Sequence, residues 1–191
     1  MDFITLSWFF AVVVTLHNAE EALFLQQWSQ KAGRWHPPVG AGEFRFAVTI
    51  LTLFAFIAAY WSASGPRGSA GAYLVSGYAL AMLLNVVFPH LAATLVMRRY
   101  VPGTVTAVLL ILPVTSLLLY RAFLQGYIEP SLFVYIGPGI VLGIMLSIPI
   151  LFIIGRRGGG GIKKPMRFEA RVVGERPANP GRSGRFSGLI L

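Results

Sequence analysis

The sequence contains no cysteine, which excludes disulfide bonds and thiolate metal ligands. It is also poor in charge, since Asp, Glu, Lys and Arg together make up 12% of the 191 residues, about half the share of roughly 25% in soluble domains. Hydrophobic residues make up 55%. Over residues 1–155 the chain lacks the polar side chains that would cover a soluble core, so its composition indicates a multi-pass membrane protein.

Two further features are missing. No basic segment precedes the first apolar run, because the sequence begins Met1-Asp2-Phe3. A cleaved signal peptide is therefore not expected, and the first run is predicted to be a retained span. No internal repeat is visible, which weakens any interpretation as an inverted-repeat transporter.

The apolar runs predict five helices, and each is long enough to cross a hydrocarbon core of about 30 Å at about 1.5 Å per residue. Breaks such as Pro102-Gly103 and Glu129-Pro130-Ser131 separate them. The predicted fold is an all-α integral membrane bundle within residues 1–155. The predicted spans are 3–27, 44–63, 71–97, 104–125 and 132–154.

The formal net charge of +9 is concentrated at one end of the sequence. Residues 156–191 hold nine of the sixteen Lys and Arg residues and two of the seven acids. We expect a flexible basic tail that binds anionic lipids of the bilayer, and no nucleic-acid partner.

The cations between the spans predict an orientation. The first and third connections lie on the same side as the tail and are rich in cations, whereas the opposite side holds only Arg67 and Arg121. The positive-inside rule then predicts an external N-terminus and a cytoplasmic C-terminus, in the cell inner membrane. The cations on the tail side are Lys31, Arg34, Arg45, Arg98 and Arg99.

Three ionisable residues interrupt the first apolar span. His17, Glu20 and Glu21 have i, i+3 and i, i+4 spacing, so both carboxylates lie on the imidazole side of the helix. Ionisable residues at membrane depth usually face the bundle interior and mark a functional site. A charged helix end at the membrane interface is the alternative explanation.

The third span carries a second polar group, Asn85 and His90, with Pro89 between them. Because Pro89 has no N–H, the carbonyl of Asn85 loses its helical partner and a kink is expected. His17 to Glu21 lie ten to fourteen residues before Lys31, and Asn85 and His90 lie eight to thirteen before Arg98. The two groups should therefore share one depth, near the cytoplasmic side.

These residues also carry a resemblance to a known family. His17-x-x-Glu20-Glu21 resembles the motif that names the HXXEE domain family. The segment from Asn85 to His90 and the following stretch RRYVPGTVTA, residues 98–107, are similar to the family's later pattern. The resemblance extends over residues 10–155. It implies a small multi-pass membrane protein and assigns no activity.

The side chains suggest a site for one metal ion. Two imidazoles and a carboxylate suit zinc or iron, and we predict His17, Glu20 and His90 as ligands. Glu20 and Glu21 are predicted to be catalytic, which would make the protein a hydrolase-like enzyme for a lipidic or small amphipathic substrate. The predicted substrate-binding residues are Asn85, Arg98 and Arg99.

Three other functions are compatible with the same residues. A carboxylate pair with a nearby histidine is a plausible proton relay for a transporter or sensor. His17 and His90 are the minimum required for bis-histidine haem, although two acids beside one ligand disfavour it. The cluster could also simply hold helices together. A ferritin-like di-iron centre is rejected, because the spans hold too few carboxylates.

The remaining features are interpreted as packing. Thr104, Thr106 and Thr115 can bond to their own helix, and Tyr100 is assigned to an aromatic belt. Gly139 and Gly143, like Ala55, Ala59 and Ala63, match the small-residue pattern of close helix contact. Association into a homo-oligomer remains open.

Overall fold

A computed structural model describes residues 1–33 and 38–158, and this part of the chain forms helices and no strand. Its five long helices are each long and apolar enough to cross a membrane, as predicted from the sequence. They are α1 Phe3–Lys31, α2 Ala41–Ser64, α3 Ala70–Met97, α4 Thr104–Leu124 and α5 Pro130–Arg157. The predictions for Arg34, for His36 and for the tail from residue 159 onward lie outside the described residues.

Helix α3 lies at the centre of the bundle and packs against α2, α4 and α5, while α1 packs against α2 and α4. Polar contacts fix the position of α1 on α2, because the side-chain amide of Asn18 donates to Thr52 Oγ1 at 2.8 Å and to the carbonyl of Val48 at 3.3 Å. Tyr78 of α3 lies edge to face against Phe10 of α1, with ring centroids 5.5 Å apart. The hydroxyl of Tyr78 donates to the carbonyl of Leu51.

Large apolar side chains also cover the outside of the bundle. Leu23, Leu95 and Tyr135 are between 64% and 78% exposed, and similar residues occur along all five helices. Apolar patches of this extent are rare on soluble monomers and usually mark a surface that contacts lipid or another protein. The outer surface therefore agrees with the apolar composition of the spans.

The small-residue patterns have different outcomes in the two helices. Ala55 and Ala59 of α2 are fully buried, as expected for close packing, whereas Ala63 is exposed. The prediction for α5 is wrong within the described residues, because a Cβ atom added at Gly139 or Gly143 would have no neighbour within 4 Å. The close approach to α5 occurs instead at Gly77 of α3, where an added Cβ would lie 2.6 Å from Ile140 Cδ1.

Candidate functional site

Helix α1 supplies three of the polar side chains of the site. His17 is 1% exposed, and the side chain of Glu21 is 16% exposed. His17 is therefore buried and Glu21 is largely buried, which disfavours a charged helix end that reaches into water. The spacing of one helical turn brings His17 Nε2 within 4.0 Å of Glu21 Oε2.

Helix α3 supplies the second histidine through a break in its backbone. The helical conformation is interrupted at Phe88, with φ −133° and ψ 121°, next to Pro89. The predicted kink is therefore confirmed. It directs His90 inward, where only 1% of the residue is exposed, while Phe88 on the outside is 74% exposed.

The side chains from the two helices meet in one buried cluster. His90 Nε2 lies 3.3 Å from Glu21 Oε1, and the rings of His17 and His90 meet edge to face with centroids 4.9 Å apart. One potential ligand atom from each of His17, Glu21 and His90 lies within 4.8 Å of the others. The predicted meeting of the two groups is confirmed.

The cluster differs from the predicted ligand set in one member, because Glu21 takes the position expected for Glu20. Glu20 instead faces the start of α4. It accepts hydrogen bonds from the backbone N–H of Gly103 at 3.0 Å and of Thr106 at 3.1 Å. The hydroxyl of Thr106 donates to Glu20 Oε2 at 2.5 Å, and the hydroxyl of Tyr100 donates to Glu20 Oε1. With four donors, this carboxylate is fully engaged by the α3–α4 connection and α4.

Gly103 closes the cluster from the α4 side. Its φ of +90° lies in the region that favours glycine, and an added Cβ would lie 2.5 Å from His90 Cε1. The same Cβ would lie 3.0 Å from Glu21 Cγ and 3.1 Å from His17 Cε1. The backbone at Gly103 therefore lies close to all three cluster residues, and a larger residue there would displace at least His90.

Two further contacts orient the ring of His17. Its Nδ1 lies 3.0 Å from the hydroxyl oxygen of Thr106, and its Nε2 lies 3.4 Å from Asn85 Nδ2. For His90, neither ring nitrogen makes a hydrogen bond to the described part of the chain, although both are buried. Nε2 is close to Glu21 without the alignment of a hydrogen bond. A buried polar atom without a partner costs about 1–3 kcal/mol, so the ring nitrogens of His90 are candidates for binding a ligand.

Comparison with known proteins assigns these residues to a family. The model of a family described as "Protein of unknown function with HXXEE motif" matches residues 8–118. The chain belongs to the HXXEE family. It is also 39% identical over 149 residues to the "Uncharacterized protein YrkK" of Bacillus subtilis (strain 168), covering 77% of this chain and 93% of that protein. No solved structure matches significantly.

The match to the HXXEE family covers every residue of the cluster and its supports. The His and the two Glu of the motif are His17, Glu20 and Glu21. In this family member the two glutamates have different surroundings, since Glu21 faces the second histidine and Glu20 faces α4. The part of the chain that matches the family, residues 8–118, also includes Gly103 and Thr106, and it ends before α5.

A cavity adjoins the HXXEE cluster between α1 and the second half of α3. Its volume is about 330 Å³, and Glu21 and His90 are its only ionisable lining residues within the described part of the chain. The other lining side chains are mostly apolar, including Leu25, Phe88 and Val96. The cavity therefore has a mostly apolar wall, with Glu21 and His90 as its ionisable residues within the described chain.

The residues predicted to bind substrate have separate positions in the structure. Asn85 touches His17 inside the cluster. Arg98 and Arg99 are exposed and, within the described residues, do not line the cavity, whose wall there is formed by Met97 and Val101. The lining of the cavity therefore gives no support to the predicted substrate-binding role of the two arginines.

Three residues of the HXXEE site are not predicted from the sequence. The sequence predicts Gly103 only as a break between helices, Thr106 as a residue that bonds to its own helix and Tyr100 as a member of the aromatic belt. The signal that identifies them is their position just after the Asn85–His90 segment in the family pattern. Tyr100 lies outside the helices and is half exposed, and its partial burial and its hydrogen bond to Glu20 raise its pKa to about 12.

Proposed function

We propose that this protein is a membrane-embedded, metal-dependent enzyme that hydrolyses a lipidic or small amphipathic substrate. The observation that carries the proposal is the buried group of His17, Glu21 and His90 at one end of an apolar cavity. Catalytic metal sites commonly use three protein ligands and leave one position open for water or substrate.

The separations of the ligand atoms support one metal ion. Two ligands at about 2.0–2.1 Å from a tetrahedral ion lie about 3.3 Å apart. The pair His90 Nε2 and Glu21 Oε1 is at 3.3 Å, and the pair His17 Nε2 and Glu21 Oε2 is at 4.0 Å. The three ligand atoms lie within 4.8 Å of one another, so the widest pair would have to approach by up to about 1.5 Å to reach bonding distance. The donor set of two imidazoles and one carboxylate suits Zn²⁺ or Fe²⁺.

The proposed reaction uses the open position and the cavity together. His17, Glu21 and His90 would hold the ion, and a bound metal ion would supply a water with a pKa near 7, which is a nucleophile at neutral pH. Hydrolysis would join the oxygen of that water to an acyl carbon and break the bond from this carbon to the leaving group. One oxygen of Glu21 would bind the ion, and its other oxygen would pass the proton of the water to the leaving group. Since Glu20 is occupied by α4, it takes no part in the proton transfer.

A proton relay for a transporter or sensor is the second candidate. It is supported by the hydrogen-bonded series Tyr100, Glu20, Thr106 and His17. A carrier also needs a polar path across the bundle. Within residues 1–33 and 38–158, the hydrophobic core next to the cluster includes Val13, Val14, Val86 and Ile111. The buried polar residues Ser7, Ser76 and Thr115 lie further along the helices. The apolar residues next to the cluster favour the enzyme over the carrier.

The geometry gives less support to haem. The imidazoles of His17 and His90 contact each other edge to face at 87°. Axial ligands of one haem lie on opposite faces of the macrocycle, and a direct ring contact leaves no slot for it.

We further propose that the protein lies in the bacterial cytoplasmic membrane with its N-terminus outside. The asymmetry of Lys and Arg between the connections supports this orientation, as does the net charge of +7 on residues 156–191. The cluster then lies near the inner leaflet, where the basic residues attract anionic headgroups.

The decisive measurement is elemental analysis of the full-length protein purified in detergent. We expect about one equivalent of zinc or iron in the wild type and a loss of the metal in His17→Ala and His90→Ala. His36→Ala is the matched control, because it removes the third histidine of the sequence and should keep the metal. Wild-type protein that stays metal-free after incubation with Zn²⁺ and with Fe²⁺ would overturn the proposal. Proton movement in liposomes that Glu20→Gln abolishes would favour the relay.

A further inference from the structure

Glu20 and Thr106 form a series of contacts that ends on the ring of His17. Glu20 Oε2 is 2.5 Å from Thr106 Oγ1, and Thr106 Oγ1 is 3.0 Å from His17 Nδ1. Glu20 has i, i+3 spacing to His17 on α1, whereas Thr106 comes from α4. Two helices therefore act jointly on one nitrogen of one imidazole.

The hydroxyl of Thr106 has a single proton, and the carboxylate of Glu20 is its strongest acceptor. Hydrogen bonds to a carboxylate are shorter and about twice as strong as neutral ones. The competing acceptor, the carbonyl of Gly103, is at 3.2 Å. Once Thr106 donates to Glu20, its oxygen can only accept from His17, so Nδ1 must carry the hydrogen.

The contacts of Nε2, on the other side of the His17 ring, agree with a hydrogen on Nδ1. Asn85 Nδ2, an amide donor, lies 3.4 Å from His17 Nε2. An amide N–H can approach Nε2 only when this nitrogen presents its lone pair. The same nitrogen lies 4.0 Å from Glu21 Oε2 in the cluster.

We propose that Glu20 and Thr106 are positioning residues that fix His17 in the Nδ1–H tautomer and so leave Nε2 free to bind the metal. The part of this inference that concerns metal binding depends on the proposed function. The part that concerns the tautomer depends only on the contacts of His17. Metal-bound histidines commonly donate their second N–H to a carboxylate or carbonyl. Here a threonine hydroxyl stands between the carboxylate and the imidazole.

The inference also explains why the motif has two adjacent glutamates with different surroundings. Glu21 faces the cluster, where its described polar contacts are the two imidazoles. Glu20 is held by four donors and is not a lining residue of the cavity. One glutamate would bind the metal and the other would orient the histidine that binds it.

The tautomer can be measured without any metal. Full-length protein is labelled with ¹⁵N-histidine, stripped of metal and studied by NMR in nanodiscs at about pH 8.5, two units above the ordinary histidine pKa of about 6.5. Only three histidines contribute, and His17→Gln assigns the signals of His17. We expect the hydrogen of His17 on Nδ1 in the wild type and a shift toward Nε2–H in Thr106→Val. Thr106→Ser should keep the wild-type tautomer.

Thr115→Val is the matched control, because Thr115 is a buried threonine of the same helix that donates to its own backbone at Ile111. Zinc affinity provides a second measurement. Loss of such an outer-shell partner typically weakens metal binding by about 10–100-fold. We expect this decrease in Thr106→Val and Glu20→Gln, and wild-type affinity in Thr106→Ser and Thr115→Val.

The outcomes separate this inference from the proposed function. Wild-type protein with His17 in the Nε2–H form, or a tautomer unchanged in both Thr106→Val and Glu20→Gln, would overturn the inference. A wild type that binds no metal but changes tautomer in Thr106→Val would support the positioning role and overturn the metal enzyme. If Thr106→Val does not fold, Glu20→Gln compared with Thr106→Ser decides the question by the same signals.

Discussion

His90 Nε2 of α3 lies 3.3 Å from Glu21 Oε1 of α1, and the buried histidine and the partly buried glutamate lie next to an apolar cavity. Neither helix forms this contact alone. The break at Phe88 directs His90 inward, and the spacing of one turn places Glu21 beside His17. A carboxylate in this position, between two imidazoles, is better suited to binding a cation than to reaching water at the membrane interface.

This relationship predicts that Glu21 is essential for metal binding. Glu21→Gln keeps the size of the side chain but removes the negative charge of the ligand. We expect the affinity for Zn²⁺, measured by competition with a chelating dye, to fall by more than about 100-fold, beyond the range typical of outer-shell changes. Glu43→Gln is the control, since Glu43 pairs with Arg156 elsewhere in the bundle. Equal affinities in the two variants would contradict the assignment of Glu21 as a ligand.

The contact of Gly103 with the cluster gives a second prediction. Gly103→Ala places a Cβ 2.5 Å from His90 Cε1 and also adds strain at a positive φ. Gly68 has a similar φ of +75°, but an added Cβ there has no described neighbour within 4 Å. Both variants should lose stability by about 1–2 kcal/mol from the backbone conformation. Only Gly103→Ala should also lose metal affinity, by more than tenfold (about 1.4 kcal/mol).

Two measurements, thermal unfolding in detergent and titration with zinc, compare Gly103→Ala with Gly68→Ala. A Gly103→Ala variant that binds zinc like Gly68→Ala would show that the cluster tolerates displacement of His90. The comparison with Gly68→Ala is needed because loss of stability alone does not distinguish strain from damage to the site.

The sequence was sufficient to predict the helices, the break near Pro89 and the common depth of the two histidines. These features depend on local properties, namely apolar length, the missing N–H of proline and the rise of the helix. It was not sufficient to separate the roles of the two glutamates. Relative to His17, Glu20 is rotated by about 60° in one direction and Glu21 by about 40° in the other. Either could have faced α3.

Which of the two glutamates faces α3 depends on where the start of α4 packs against α1. This packing is a tertiary contact. Gly103 and Thr106 meet Glu20 across more than eighty positions of the chain. The threonines of α4 show the same limit of prediction from the sequence. Thr115 bonds to its own helix as predicted, whereas Thr106 also bonds to Glu20 and contacts His17. No local pattern separates the two residues, because the difference arises only from which face of α4 packs against α1.

Tyr100 gives a prediction of pH dependence. Its partial burial and its hydrogen bond to Glu20 raise its pKa to about 12, compared with about 10 for a free tyrosine. Because the folded state holds the proton more tightly, the stabilisation from this contact is fully present below about pH 10 and is lost toward pH 12. Tyr100→Phe should remove a late phenol transition from the ultraviolet titration. Glu20→Gln should move that transition toward about pH 10. Identical titrations of wild type and Tyr100→Phe above about pH 10 would contradict the contact.

The absence of cysteine makes the proposed orientation directly testable, because each introduced thiol is the only one in the protein. Ser64→Cys introduces a thiol at the exposed end of α2, on the side predicted to be external. Ser187→Cys introduces one in the basic tail, on the side predicted to be cytoplasmic. In intact cells, a membrane-impermeant maleimide should label Ser64→Cys and leave Ser187→Cys unlabelled until the cells are opened. The reverse pattern would place the HXXEE cluster near the outer leaflet, because the position of His17 and His90 along α1 and α3 is fixed relative to the ends of those helices. The proposed enzyme would then act on substrates of the opposite leaflet, and labelling of both variants in intact cells would contradict an odd number of spans.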